Sequence, residues 1–568
     1  MWPVPGRVWF VEWDVPISRT RRSRVQRPRM AVELTPVVER RLGALPASAE
    51  FLRRLDVAGI IDELCPVRDV AHLTHGQVIE VLVANRLSSP TSMVRVEDWA
   101  RKWAVEEVFG VEPELLNDDR LVRALDAIAP NLEEITGSVG AQAIAEFGVD
   151  AAQIHWDMTS LSLFGAYEDQ EEGFPQVRYG HPKDRRVDLK QIQAGLAVSR
   201  DGGIPLFHRV YDGGAGEVAQ VVGAMKALRK IADRKDFLLV ADSKLVSYPN
   251  ITALLDAKVD FIAPLPAAQV KDEVYAALDV DSAQLVGYVN DRDRERNTPA
   301  DQRESYRVLE DVHVMAGPRK RDPVHTLRRI LVHSTGNAKG QQAARAKRLA
   351  RAAEDLDKLQ CSAGGRYYNT AAKVEARIGV IAKTRRVASC LRTTVTTDTD
   401  GRPSLTWHFD QDVLDAQAAA DGWYALVTRL TPEQADAAEV LRRYKGQGVV
   451  ERRYSDFKGP LAVAPVFLEH NRRIAALISV ICLALLVFCL IERQVRQALG
   501  PEQTMSGLYP DNRRVRPTGR MILYHLDSLM LRPGTATDPP TILISQGVQA
   551  HLLELLGIDE TRPRWLET

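Results

Sequence analysis

The sequence predicts an α/β fold: a mixed sheet with helices, preceded by a helical domain and interrupted by a β-containing insertion domain. Three observations lead there. The chain reads as helices from Met30 to about Gly148, then as three adjacent strands with short connections, and then as strands alternating with helices.

The helical part rests on segments such as Phe51 to Leu55, His75 to Val83 and Leu121 to Ile128, separated by short polar breaks. The change comes at Ile154-His155-Trp156-Asp157-Met158, where Ile154, Trp156 and Met158 alternate with polar residues as in a half-buried strand. Gln191 to Ser199 and Leu206 to Tyr211 are the next strands, joined through the turn Asp201-Gly202-Gly203, which suggests an antiparallel meander. In residues 216–235, Val218, Val221, Val222, Met225, Leu228 and Ile231 recur at helical spacing and give an amphipathic helix. Phe237 to Asp242 is a short apolar strand ending on a carboxylate, as in the buried part of a parallel sheet. A helix (Ile251 to Ala257) and a strand (Phe261 to Leu265) repeat the alternation.

From about Ala267 to Asp421 the chain reads as an insertion, with basic loops, strands at Arg329 to His333 and Leu391 to Thr397, and a basic helix from Lys339 to Leu359. A strand from Trp423 to Leu430 returns it to the sheet. Thr431-Pro432-Glu433-Gln434 is expected to open a helix, with Thr431 as N-cap. The expected segments are a basic disordered tail (1–30), an N-terminal helical domain (31–150), a first core part (151–266), the insertion domain (267–421), a second core part (422–495) and a C-terminal region (496–568).

Composition bounds the class. The chain has 568 residues, too many for one core, and its 26% charged and 45% hydrophobic residues are ordinary for a soluble globular protein. The formal net charge is zero, so a polyanion would have to bind local basic clusters. The five cysteines form no metal-binding spacing and read as reduced thiols in a cytosolic protein. Arg19, Arg21, Arg22, Arg24, Arg27 and Arg29 are followed by no apolar run, which excludes a secretory signal. Two readings stand: a disordered arm touching DNA, or a non-structural extension with Met30 as the true start. The apolar run Ile474 to Ile491 would span roughly 27 Å as a helix, at the lower edge of a membrane crossing. Arginines flank both ends, so no charge asymmetry orients it, and it is expected as a core helix with no membrane partner.

Function in open α/β sheets gathers at the carboxyl ends of parallel strands. Asp242 stands at such an end, and Asp157 lies in a strand expected to neighbour it. Two buried carboxylates repel unless a cation lies between them, and hard oxygen donors suit Mg²⁺ or Mn²⁺. Glu451 is the candidate third acid, in a segment carrying Arg442, Arg443, Lys445, Arg452, Arg453 and Lys458. An acidic metal site with a basic rim is what phosphodiester chemistry needs. The bland alternatives are a strand-end turn residue for Asp242 and a solvated face for the charged helix.

Tyr444, Gln447, Glu451 and Lys458 have the spacing Y-x2-Q-x3-E-x6-K. This resembles the Y-x2-R-x3-E-x6-K signature of the DDE group of bacterial insertion-sequence transposases. Asp157 in WDMTSL and Asp242 in LLVADS are similar to that family's first and second aspartates. The stretch Gly180 to Leu206 and the segment HNRRIAALISVICLALL are also similar to the family's, and the resemblance covers most of Ile154 to Arg493. It implies an RNase H-like sheet, with the long separation of Asp242 from Glu451 matching a cut-and-paste branch that has an insertion domain before the glutamate. It implies that Asp157, Asp242 and Glu451 bind two divalent ions (Mg or Mn) and cleave and join the ends of an insertion sequence, through a hairpin. Tyr444 and Lys458 would lie against phosphates. Gln447 replaces the signature arginine, so Arg452, Arg453 or Arg443 would have to supply that contact. For Trp423 two readings remain: stacking on a flipped-out base, as in a relative, or core packing in a strand. His155, His181, Lys190, Lys244, Ser160 and Ser162 keep structural readings.

The implied protein is a cytoplasmic, nucleoid-associated DNA transposase. Its partners are double-stranded DNA, in the form of terminal inverted repeats and target, and a second copy of itself, because two ends must be brought together. The alternatives are an RNase H-like nuclease that cuts without joining and an inactive descendant that only binds DNA.

Overall fold

The computed structural model describes residues 39–231, 237–461, 466, 468–534, 540–544 and 547–559. The chain divides into Met1–Val38 and Glu39–Thr568, and the description below is of the second unit. The basic arm at Arg19 to Arg29 lies outside the described residues.

Helices fill the first part: α1 Leu45–Arg54, α2 Val57–Leu64, α3 His75–Ser88, α4 Asp118–Ile128 and α5 Leu132–Phe147. Their ends are set locally. Thr74 accepts from Gln77 N while Gln77 Oε1 accepts from Thr74 N, a reciprocal cap that starts α3. Asn117 caps α4 through Arg120 N, and Gly148 ends α5 in the left-handed region. These helices share one continuous apolar core with part of the sheet and with a long C-terminal helix.

The meander follows as β1 Gln153–Leu163, β2 Lys190–Ser199 and β3 Pro205–Tyr211. The turn between β2 and β3 needs Gly202 and Gly203, both at positive φ. Then come α6 Glu217–Ile231, β4 Leu238–Ala241, α7 Tyr248–Asp256 and β5 Asp260–Pro264. β4 runs parallel to β1, and β5 parallel to β4.

The segment expected as an insertion does not leave the sheet at residue 267. It first adds β6 Gln284–Val286, β7 Tyr306–Met315 and β8 His325–Ser334. It departs only after Ser334, as the helical hairpin α8 Thr335–Ser362 and α9 Ala371–Arg385 with a two-stranded ribbon, Leu391–Thr397 paired with Pro403–Phe409. A small core of its own, including Leu356, Val374, Ile378 and Leu405, holds this part together. β9 Trp423–Thr428 then inserts between β5 and β8, antiparallel to both. The nine strands lie in the order β3-β2-β1-β4-β5-β9-β8-β7-β6.

The helix expected to open at Thr431 begins later. α10 is Ala437–Lys445, capped by Asp436, whose carboxylate accepts from Glu439 N at 2.6 Å. Thr431 and Pro432 serve a turn instead, closed by Gln434 N–H to Thr431 O at 3.1 Å. Pro at a second turn position and Pro at a first helical position use the same φ, so the dipeptide alone does not separate them.

α11 Gly448–Lys458 and α12 Asn471–Ala498 complete the core. α12 is the one helix among the described residues long and apolar enough to cross a membrane, and its apolar window is 100% buried inside the protein. It packs against α3, α4 and β3. The arginines that flank its apolar run are also used internally, since Arg472 and Arg473 both bond Asp126 of α4.

One buried ion cluster joins α11 to α12. Glu492 of α12, 2% exposed, accepts from Arg453 of α11 at 2.8 Å and from Arg496 at 2.6 Å. Its second oxygen accepts from Gly519 N at 2.8 Å. Arg453 also donates to Gly203 O at 3.0 Å and Gly202 O at 2.5 Å, so the glycine turn is part of the same cluster. Burial pushes the Glu492 carboxyl up, and Arg453 and Arg496 outweigh it, leaving the pKa below the ordinary 4.5. A depressed carboxyl stabilises the fold above its unfolded pKa and ceases to do so as pH falls through its folded value. Glu492→Gln is therefore expected to cost about 3–5 kcal/mol at pH 7 in a denaturant titration, because it strands Arg453 in the interior. The difference from wild type should shrink below pH 4.5.

Candidate active site

In the parallel pairing of β1 with β4, Trp156 stands opposite Ala241. The next residue after each is a carboxylate, Asp157 within β1 and Asp242 just past the end of β4, close enough that the charge on Asp242 acts on Asp157. Strand alternation turns both to one face. Ile154, Trp156, Leu239 and Ala241 enter the core beneath α6 and α7. Val240 packs with Val440 and Leu441 of α10 on the other side. The residues just before Asp157 meet the same helices: Gln153 Nε2 donates to Arg443 O at 3.0 Å, and a Cβ on Gly446 would lie 3.2 Å from His155.

β4 stops at Ala241, and Asp242 turns the chain by accepting from Lys244 N at 3.0 Å. β1 continues to Leu163 with β2 as its strand neighbour. On the edge that β4 vacates, Met158 O accepts from Lys183 Nζ and Ser160 O from Lys458 Nζ, the latter at 2.9 Å. Side-chain ammonium groups thus replace a missing strand.

Asp157 is 15% exposed at its side chain. Its Oδ1 accepts from Met158 N at 2.8 Å, and Lys183 Nζ lies 3.3 Å from Oδ1 and 3.4 Å from Oδ2. Burial raises its pKa and the charge on Asp242 adds to the rise; Lys183 and the Met158 N–H oppose it without cancelling it. The charged form of Asp157 is therefore short of positive charge even with Lys183 beside it.

Glu451 lies in the first turn of α11 and is exposed. Three residues on, the Tyr454 hydroxyl enters the ladder between β1 and β2. It lies 2.5 Å from Asp157 O and 3.2 Å from Ala194 O, and accepts from Leu196 N at 3.1 Å. That contact, with the Arg453 cluster, fixes α11 over β1 and β2 at the position of Asp157. Tyr444 of α10 has a phenol pushed up to about 12, first by burial and then by the charges on Asp242 and Glu451. One side chain thus lies within electrostatic reach of both carboxylates. Among the described residues no three acidic, histidine or cysteine side chains lie close enough together to hold an ion. The structure pairs Asp157 with Asp242 and leaves Glu451 outside that close group. Two adjacent carboxylates, one of them destabilised by burial and by its neighbour, fit a hard divalent cation.

Of the residues expected at DNA, Arg452 is exposed on α11 and Lys458 closes that helix against Ser160. Arg453 and Trp423 lie inside. Arg453 is 1% exposed and belongs to the interior cluster, because its guanidinium reaches inward to Glu492. Trp423 is 4% exposed and packs edge-on against His333, centroids 5.2 Å apart, so of its two readings the core one matches its position. Arg443 bonds Glu439 on its own helix at 2.9 Å. His155 is buried and bonded to Gln153, its pKa held down to about 4 by burial and then by Arg200. His181 and Lys244 are exposed, and Lys190 is turned to the carbonyls of Ala166 and Tyr167. Sequence reasoning passed over Tyr454 and Lys183. Tyr454 carried a signal, its i+3 spacing from Glu451; nothing set Lys183 apart from the other basic residues of its loop.

Comparison with known families bears on what this site belongs to. Residues 156–487 match the family described as "Transposase DDE domain", a range that holds Asp157, Asp242 and Glu451. Residues 38–135 match a domain of unknown function, DUF4277. The chain belongs to the Transposase DDE domain family. It is a DNA transposase. No curated protein matches it. Among solved structures, it is similar at 10% identity and TM-score 0.35 to a piggyBac transposase synaptic complex with hairpin DNA, covering 84% of this chain and 79% of that one. It is also similar at 10% identity and TM-score 0.14 to a Mos1 transposase paired-end complex with left transposon end, covering 34% of this chain and 60% of that one.

The acid pair has a measurable cost. A carboxylate whose charged form is disfavoured in the fold lowers stability at neutral pH. Asp157→Asn is expected to raise the thermal midpoint in EDTA at pH 7 by about 1–3 °C in differential scanning fluorimetry; an unchanged or lower midpoint would contradict the description of the pair.

Proposed function

We propose that this transposase cleaves and joins the ends of an insertion sequence, with Asp157, Asp242 and Glu451 as the ligands of two divalent ions, Mg²⁺ or Mn²⁺. The observation that carries this reading is the placement of Asp157 and Asp242 directly after the paired residues Trp156 and Ala241 of parallel strands, with the helix that bears Glu451 packed on β1. When bound, such ions supply the Lewis acidity and the activated oxygen nucleophile that phosphodiester hydrolysis and transesterification require.

The chain's own residues do the rest. Tyr454 holds the Asp157 backbone at a fixed position, and the Arg453–Glu492 pair keeps α11 from sliding along the sheet. Arg452, exposed on α11, and Lys458, at the end of α11 beside the β1 edge, give positive charge suited to backbone phosphates rather than to base edges. Tyr444, kept neutral by its surroundings, offers a hydroxyl to a phosphate without adding charge beside the acids. The order β3-β2-β1-β4-β5, with β1 to β3 antiparallel and β4 and β5 parallel to β1, supports an RNase H-like reading of the sheet. In this reading the helices of residues 39–148 recognise the terminal inverted repeats. The working form is a homodimer on double-stranded DNA in the cytoplasm, since both ends must be held together.

Glu451→Gln is expected to lower cleavage of a labelled transposon end by about 10³-fold or more while end binding on a gel is retained. Wild type with paired ends and target should give joined product. Cleavage without joining would indicate a nuclease, and binding alone a DNA-binding descendant.

A further inference from the structure

The loop after β1 carries a feature that the catalytic reading does not use. Lys183 forms an ion pair with Asp157, with Nζ within 3.4 Å of both carboxylate oxygens and bonded to Met158 O. The loop is built to hold it there. The Lys183 N–H donates to Ser160 Oγ at 2.9 Å, and the next residue, Asp184, accepts from Ser162 Oγ at 2.7 Å. Arg185 stands at φ +64, in a turn closed by its N–H to Pro182 O at 3.1 Å. Alternate β1 residues, Ser160 and Ser162, thus clamp the loop so that the lysine points back along the strand to Asp157. The ammonium thus lies against both oxygens that Asp157 could offer to a divalent ion.

We propose that Lys183 is a built-in counter-ion, which neutralises Asp157 in the metal-free protein and must be displaced before a divalent ion can bind the aspartate pair. The inference rests on the divalent-ion reading of Asp157 and Asp242. An ammonium set against both oxygens competes with an ion for the same negative charge, so the ion's apparent affinity falls with the fraction of protein in which the lysine is docked. The same contact offsets part of the repulsion between the two aspartates when no ion is present. Lys183 is in this account a positioning residue. It makes ion loading dependent on release of the loop, and the loop lies beside Lys458 on the same strand edge, within reach of any phosphate that Lys458 meets.

The test uses the full chain, with Mn²⁺ as probe, in wild type, Lys183→Gln, Lys183→Arg and Asp157→Asn. Binding is read by paramagnetic resonance of free Mn²⁺, and thermal midpoints are read with EDTA and with Mn²⁺. Lys183→Gln should bind Mn²⁺ about three- to thirtyfold more tightly than wild type. It should melt lower than wild type in EDTA and gain more on adding the ion. Lys183→Arg should stay close to wild type, and Asp157→Asn should lose the binding. Equal or weaker Mn²⁺ binding by Lys183→Gln, with the Asp157-dependent site intact, would overturn the counter-ion role and leave the catalytic reading standing. Mn²⁺ binding that Asp157→Asn does not reduce, or no binding by any variant, would overturn both.

Discussion

The pairing of Arg453 with Glu492 in the interior is the contact on which the arrangement of the site depends. A guanidinium and a carboxylate can be taken out of water together only when their remaining donors and acceptors are also met. Here Arg496, Gly519 N and the carbonyls of Gly202 and Gly203 meet them. Those groups belong to α11, α12 and the β2–β3 turn. One cluster therefore sets the rotation of α11 relative to the sheet. That rotation decides which side of α11 is buried: Arg453, Tyr454 and Phe457 go inward and Glu451 and Arg452 outward.

The acids show the opposite balance. Asp157 and Asp242 are neighbours by register, and burial makes the charge on Asp157 costly. A sheet that served stability alone would not place carboxylates at adjacent positions under a covering helix. The cost is offset in part by Lys183, and more fully by a bound divalent ion in the proposed mechanism. Local instability at the aspartate pair and rigidity in the helix behind it are complementary: the carboxylates favour a nearby cation, and the scaffold does not relax to relieve them.

Much of this was legible in the sequence because periodicity and chain-end chemistry are local. The meander, the helix at residues 217–231, the acid-terminated strand and the buried helix at residues 471–498 all follow from spacing of apolar residues. What stayed hidden is non-local. Pairing of β8 with β9 places the first part of the expected insertion in the main sheet, and no pattern within either strand specifies its neighbour. Thr431-Pro432 suits a turn as well as a helix start. Arg452 and Arg453 are adjacent and chemically identical in the sequence; the helix turn alone sends one to water and the other to Glu492. Trp423 was ambiguous because an aromatic in a strand serves a core or a ligand equally well. Asp242 was found through its position at a strand end, Asp157 as a carboxylate within a strand, and all three acids through family resemblance, whereas the placement of Glu451 relative to the aspartates depends on packing of α11 that no sequence spacing encodes.

The central claim is that Asp157 and Asp242 form one cation site, which Glu451 completes from α11. Anomalous diffraction from crystals of the protein with a transposon end and Mn²⁺ tests this most directly. The account predicts a manganese peak between the Asp157 and Asp242 carboxylates, with Glu451 bound to an ion of the same cluster. Manganese bound elsewhere, or Glu451 turned from an ion held by the two aspartates, would contradict it.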